Sequence, residues 1–278
     1  MSNLVAINSL SHSGSTILSM IIANHDEMIS LGEIYQVLRE PSSYWLNDSE
    51  KKCSCGLAAA ECEFWGDTLR KTNNLEKTET DQHKLIAAKY KTVIDTFNHQ
   101  YEGKTPVDTS KGERHLKLLI KLAWPTIKLI YLIRDVRGYA LSQTTLARSQ
   151  NRKGLKRIKN SMAFQFLKWY FTNRSRLKII TQSNLDHVIT SYEALCLNTV
   201  PSTNAITDFL CVSNSQTPGL DSSQHHVLFG NPIRNTPDKR KSLQYDARWE
   251  NNIECKKTAN KLAFVMRYNE RMVYFYEH

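Results

Sequence analysis

Short apolar runs recur along the chain, each ending in a polar break and followed by a helically spaced stretch. Asn3 to Asn8 reads Asn-Leu-Val-Ala-Ile-Asn, a buried strand, and Ser15 to Asn24 then carries Ile17, Leu18, Ile21 and Ile22 at helical spacing. Lys128 to Ile133 repeats the unit: an apolar run, a break at Arg134-Asp135, and a helix-like segment from about Val136 to Gln150. Between them, Thr105 to Asp108 predicts a short strand before a helix around Glu113 to Ala123. His187 to Ser191 supplies another strand after a long helical stretch, Ser161 to Thr181. Strands alternating with helices predict an α/β fold, a central parallel sheet covered on both faces in three layers. Two segments stand apart. Residues 39–81, with three clustered cysteines and scattered tryptophans, read as an insertion over the carboxyl edge of the sheet. Residues 213–246, rich in Ser, Asn, Gln, Pro and Gly, read as a long loop before a terminal helix near Lys256 to Tyr276.

Composition adds limits rather than an identity. With 278 residues, 41% hydrophobic and 23% charged, the chain suits a single domain spanning 1–278 that folds by burial, neither disordered nor stapled by disulfides. Lysine and arginine outnumber aspartate and glutamate by 37 to 27. That excess favours an anionic partner, although basic residues spread from Lys51 to Arg271 also describe an ordinary lysine-rich surface. No run approaches the roughly 20 apolar residues of a membrane span, and no secretory leader pattern opens the chain, so a cytoplasmic location is expected. Six cysteines are too few for a disulfide framework, and reduced thiols are expected. A nucleic-acid binder would rest on charge alone, since no helix-turn-helix, zinc-finger or ribonucleoprotein signature is present.

Candidate chemistry begins between the first strand and the first helix. Ser11, His12, Ser13, Gly14, Ser15 and Thr16 lie where backbone amides and hydroxyls converge on an anion at a helix N-terminus. Serine and glycine also cap helices, so a plain cap is the competing reading. A nucleoside-triphosphate loop of the form Gly-x4-Gly-Lys-Ser/Thr is excluded in its two most diagnostic places, which here hold Ser9 and Ser15. After the Lys128 to Ile133 strand, Arg134 is followed eight residues on by Ser142, about two helical turns away, so both can face the carboxyl end of the strand. The bland alternative is an Arg134-Asp135 ion pair with an exposed helical serine.

The run His12-Ser13-Gly14-Ser15-Thr16-Ile17-Leu18 resembles the 5′-phosphosulfate loop of sulfotransferases that use 3′-phosphoadenosine 5′-phosphosulfate (PAPS). The continuation Asn24-His25-Asp26 to Gly32-Glu33 resembles the branch that includes tyrosylprotein sulfotransferases and many bacterial relatives. That branch usually has arginine or lysine where this chain has His12. The resemblance, which runs from Leu4 to about Arg234, implies a P-loop-like sandwich with the insertion on the acceptor side. It also implies sulfuryl transfer from PAPS to an acceptor hydroxyl or amine, with PAP as product and no metal. By the same resemblance, Arg134 and Ser142 correspond to the 3′-phosphate site, Glu33 to a general base, and Lys111 in Asp108-Thr109-Ser110-Lys111 to the charge neutraliser. His12 takes the place of the leaving-group donor, and oxyanions beside it are expected to raise its pKa. Tyr192 in Tyr192-Glu193-Ala194-Leu195 resembles the aromatic near the adenine, and Asn231 and Arg234 belong to a late loop over the nucleotide. The alternative is a non-catalytic protein that binds PAP or PAPS. No motif selects the acceptor, which leaves carbohydrate, lipid, peptide and small phenol open.

Cys53, Cys55 and Cys62 precede Phe64-Trp65. Three thiols in ten residues suggest a metal, but a zinc site needs a fourth partner and no second Cys-x-x-Cys pair is present, so a structural role near the acceptor mouth is expected.

Overall fold

A computed structural model describes residues 4–124, 126–149, 161–212, 225–230 and 243–275. Five strands, β1 (Leu4–Ser9), β2 (Met28–Gly32), β3 (Thr105–Asp108), β4 (Ile127–Ile133) and β5 (Asp186–Ser191), form one parallel sheet in the order β2-β3-β1-β4-β5. In chain order the helices are α1 (Ser15–Ile22), α2 (Ile34–Arg39), α3 (Ser42–Leu46), α4 (Glu63–Leu75), α5 (Gln82–Gln100), α6 (Glu113–Leu122) and α7 (Val136–Ser149). They continue with α8 (Met162–Thr181), α9 (Tyr192–Leu197), α10 (Thr199–Leu210), α11 (Ile253–Lys261) and α12 (Ala263–Val273).

Alternation along the central strands divides the core into two layers. Leu4, Ala6, Leu129, Tyr131 and Ile133 join one cluster with Phe64, Trp65, Phe97, Leu116, Phe166 and Trp169, from α4, α5, α6 and α8. Val5, Ile7, Ile130 and Leu132 face the other way, against Leu18 and Ile22 of α1, Leu195 of α9, and Ile206 and Leu210 of α10. A strand buried on both faces has no polar side to show, which is why β1 and β4 read as unbroken apolar runs. The three-layer α/β expectation holds. None of the described helices is long and apolar enough to cross a membrane.

Three parts of the chain differ from the pattern reading. The 19-residue α5 has no counterpart in it, and the segment 39–81 contains two helices, α4, packed on α5, and α3, packed on α4. The single terminal helix is two, broken at Leu262 with φ −109° and ψ 52°. The break lets each half meet a different partner. Cys255 of α11 is buried against α7, whereas α12 packs on β5 and α9, with Asn269 accepting a hydrogen bond from the Val136 amide at the start of α7 at 2.8 Å. The long-loop segments 213–224 and 231–242 lie outside the described residues.

A buried carboxyl pair ties the carboxyl ends of β4 and β5 together. Asp135 accepts hydrogen bonds from Arg137 Nε, Asn269 Nδ2 and the Tyr274 hydroxyl, each at 2.9 Å, and its own amide donates to Glu193 Oε2 at 3.1 Å. Burial first, then the Asp135 charge, pushes Glu193 up to about 8. The folded chain therefore holds a proton that the unfolded chain releases near its ordinary value of 4.5. Stability from this group is complete below that value and is lost as pH rises toward about 8. Urea unfolding at several pH values between 5 and 8 should show stability falling across this window, with a slope of at most about 1.4 kcal/mol per pH unit, the limit for a single proton. Glu193→Gln should flatten the fall. An equal slope in both proteins would contradict the assignment.

Candidate active site

Ser9 ends β1 at the carboxyl edge of the sheet, and the chain turns back into α1 through a loop held by two left-handed residues, His12 at φ 65° and Gly14 at φ 93°. Gly14 meets two demands at once. Its φ disfavours any side chain, and a Cβ there would stand 2.7 Å from Cδ2 of Tyr192. No side chain caps α1. Ser13 is 1% exposed, and among the described residues its hydroxyl has no partner. A buried, unsatisfied hydroxyl at an uncapped helix start fits an anion better than a plain cap. Arg176 of α8 steadies the base of the loop, donating to the Ser9 carbonyl at 2.7 Å and to Asn8 Oδ1 at 3.4 Å.

Arg134, at the end of β4, is 7% exposed and reaches sideways to that loop, where its Nη1 donates to the His12 carbonyl at 2.7 Å. Its guanidinium lies over the Tyr192 ring at 4.6 Å, and among the described residues Nε has no partner. Arg134 does not pair with Asp135, which takes Arg137 instead. Its carboxylate is Asp246, 2.8 Å away, shared with Arg248. Ser142 lies on α7, half-buried. Tyr192 is fixed at both ends: its hydroxyl donates to the Gln244 carbonyl at 2.8 Å and accepts from the Asp246 amide at 3.2 Å, while its ring stacks on Tyr245. It is a buried wall of the loop, 5% exposed.

Glu33 and Lys111 follow β2 and β3 and form an ion pair at 2.5 Å. Asp108 sets this geometry. Fully buried, it accepts from the Ile34 amide at 3.2 Å, from the Ser110 amide at 2.7 Å and hydroxyl at 2.5 Å, from the Tyr90 hydroxyl at 2.5 Å, and from His115 at 2.9 Å. The Ser110 hydroxyl in turn accepts from the Tyr35 amide at 2.8 Å. The turn carrying Lys111 is thereby locked to the start of α2, immediately after Glu33. The Glu33 amide donates to the Phe229 carbonyl at 2.9 Å. Gly32 allows that crossing, because a Cβ there would lie 2.6 Å from the same oxygen.

The pKa rise expected of His12 depends on bound oxyanions, and the protein's own groups act in the other direction. Burial first, then the charges of Lys111 and Arg134, hold the imidazole below its ordinary value, so it is neutral at pH 7. The same result places His12 within the fields of both cations, which joins the two halves of the site.

Asn231 and Arg234 lie outside the described residues. Four contributors carry no local signal in the sequence: Arg176 in the middle of a long helix, Asp246 in a polar loop, Tyr90 in an unforeseen helix, and His115. His226 is a fifth. It brings an imidazole to Cys53, Cys55 and Cys62, a fourth group of metal-ligating type beside the three thiols.

Fold and site together place a loop with no side-chain cap, a buried arginine, a carboxylate and a lysine at the carboxyl edge of a parallel sheet. Residues 5–215 match the sulfotransferase family, and the chain belongs to it. The sulfotransferase domain of the Synechococcus PCC 7002 olefin synthase is similar in structure, with a TM-score of 0.54 at 19% identity over 95% of this chain and 96% of its own. The sulfotransferase domain from the curacin biosynthetic pathway gives 0.50 at 17% identity, over 95% and 98%. A mouse sulfotransferase, SULT7A1, complexed with PAP gives 0.50 at 12% identity, over 97% and 85%. At these identities the likeness is one of fold. No curated protein matches the chain.

Gly14→Ala should cost about 1–3 kcal/mol in urea unfolding, from the left-handed backbone and the overlap with Tyr192 together. A loss below about 0.5 kcal/mol, the size of an ordinary surface change, would mean that the loop is not held against Tyr192.

Proposed function

We propose that the protein transfers a sulfuryl group from PAPS to an acceptor hydroxyl or amine and releases PAP. The observation that carries this reading is the bridge from Arg134 to the His12 carbonyl, which joins the loop after β1 and the end of β4 into one cationic seat. Its fit to a nucleotide with two separate phosphate groups is supported by the unpartnered Ser13 hydroxyl and Arg134 Nε. The Asp246 carboxylate against Arg134 is a further sign that this position suits an oxyanion. PAPS supplies an activated sulfate-phosphate anhydride, so no step calls for a metal.

In this reading the loop from Ser11 to Thr16 holds the 5′-phosphosulfate end with backbone amides and hydroxyls. Arg134 and Ser142 hold the 3′-phosphate, and Tyr192 lies beside the adenine. Asn231 and Arg234 close over the nucleotide. Glu33 takes the acceptor proton as the new bond to sulfur forms, oriented by Lys111 and by the Phe229 carbonyl on its own amide. Lys111 lies between the carboxylate and the transferred group and offsets charge on the sulfuryl oxygens. His12 donates to the departing phosphate oxygen. Bound oxyanions would counter the two cations that hold its pKa down, and so favour the protonated form there. The Glu33-Lys111 pair distinguishes a catalyst from a nucleotide-binding module, which would need neither.

PAP should raise the melting temperature strongly and 5′-AMP weakly, since only PAP carries the 3′-phosphate. Arg134→Ala should weaken PAP by about 1.5–3 kcal/mol in calorimetric titration, the range for a hydrogen bond to a charged group. Equal shifts from both nucleotides, or an unchanged Kd, would place the 3′-phosphate elsewhere. An acceptor can be identified in mass spectra from the gain of about 80 daltons that any SO3 transfer gives, a mass fixed by the transferred group itself. With that acceptor, Glu33→Gln should cut turnover about 10²–10⁴-fold with PAP affinity retained. Full turnover in that variant would remove Glu33 as the base.

A further inference from the structure

The cluster around Cys53, Cys55, Cys62 and His226 lies outside the anion seat and has no part in the proposed transfer. An antiparallel bridge between Lys52 and Ala58 opens a tight turn, closed by the Cys53 amide donating to the Leu57 carbonyl at 2.9 Å and the Gly56 amide to the Cys53 carbonyl at 2.9 Å. This turn carries Cys53 and Cys55. Cys62 sits at the N-terminus of α4, where its sulfur accepts the Trp65 amide at 3.4 Å.

His226 comes from a strap, residues 225–230, more than 160 positions further along the chain. Its Nδ1 lies 3.3 Å from the Cys62 sulfur, and its Nε2 faces the Tyr101 hydroxyl at 2.9 Å. Metal-bound histidines are usually held this way, ligating through one nitrogen and oriented through the other. All four ligand atoms lie within 4.8 Å of one another. A tetrahedral zinc with bonds of about 2.3 Å to sulfur and about 2.0 Å to nitrogen needs ligand atoms about 3.5–3.8 Å apart, so only a small contraction separates this cluster from a closed site. Phe64 and Tyr101 pack around the imidazole and help to fix its orientation.

We propose that Cys53, Cys55, Cys62 and His226 form a structural zinc site, a closed Cys3His centre with no open position for catalysis. Three thiols release their protons to solvent as the thiolates coordinate, and neutral His226 supplies the fourth bond through Nδ1. A disulfide between two of the cysteines would leave the third thiol and His226 gathered without a reason. The zinc ties the 53–62 turn to the strap. That strap holds the base: the His226 amide donates to the Ser30 carbonyl at 3.1 Å, the Trp65 indole donates to the His226 carbonyl at 2.5 Å, and the Phe229 carbonyl accepts the Glu33 amide. The metal thus stabilises the chain crossing on which Glu33 is seated, although the assignment stands whether or not Glu33 is the base.

The full-length chain, produced with zinc in the medium and purified without chelator, should carry one zinc per chain by plasma mass spectrometry. Titrating a mercurial against it should release that zinc in step with thiol modification. Exchange with Co2+ should give the intense visible bands of a tetrahedral centre together with thiolate charge-transfer absorption. Cys62→Ser should lose most of the metal, whereas Cys211→Ser, remote from the cluster, should keep it. Because Cys62→Ser risks unfolding, His226→Cys supplies the second arm: it should retain one equivalent and shift the cobalt spectrum toward four-sulfur coordination. Metal well below one equivalent in the wild type, a non-reduced mass lowered by the two hydrogens lost to a disulfide, or cobalt bands unchanged in His226→Cys would each overturn the site.

Discussion

A carboxylate with no access to water has to be satisfied by its neighbours, and at Asp108 that requirement organises the side of the molecule that carries Glu33 and Lys111. Its five donors come from the start of α2, from the turn after β3, from α5 and from α6. Burying such a group costs several kcal/mol unless every lone pair is used, so the four segments cannot drift independently. Glu33 and Lys111 make no bond to Asp108 themselves. They lie at the ends of the two backbone segments it joins, and their 2.5 Å contact follows from that junction.

The other side is governed by Arg134. A guanidinium 7% exposed, facing a loop carbonyl, a tyrosine ring and one aspartate, is a concentrated positive charge with limited compensation. Burial first, and then its field with that of Lys111, hold the His12 pKa below its ordinary value. In the proposed reading, an oxyanion entering here offsets the two cations that oppose protonation of His12, as well as forming hydrogen bonds.

How much of this was legible depended on whether a feature is local in sequence. The sheet strands were readable because double-sided burial leaves unbroken apolar runs, and the loop from Ser11 to Thr16 and Arg134 were readable because each follows such a run directly. The Asp108 turn showed as a motif, but its partners Tyr90 and His115 did not, since nothing near either residue in sequence demands a buried carboxylate. Residues 82–100 mix polar and apolar positions weakly, so α5 escaped notice, and with it Tyr90. The Leu262 break was invisible because both halves carry helical spacing, and only their different packing partners separate them. His226 was hidden for a related reason: a metal ligand set shared between distant segments has no spacing to read.

The strand order β2-β3-β1-β4-β5 has one more consequence. β1, with its loop, stands in the middle. Arg134 and Tyr192 follow the strands on one flank, while Glu33 and Lys111 follow those on the other, together with the cysteine-bearing turn and the His226 strap. In the proposed reading, recognition of the donor and accommodation of the acceptor thus fall to opposite wings of a single sheet. On that reading, side chains on one wing can change which acceptor fits without touching those that hold the donor, and the central strand is the boundary between the two tasks.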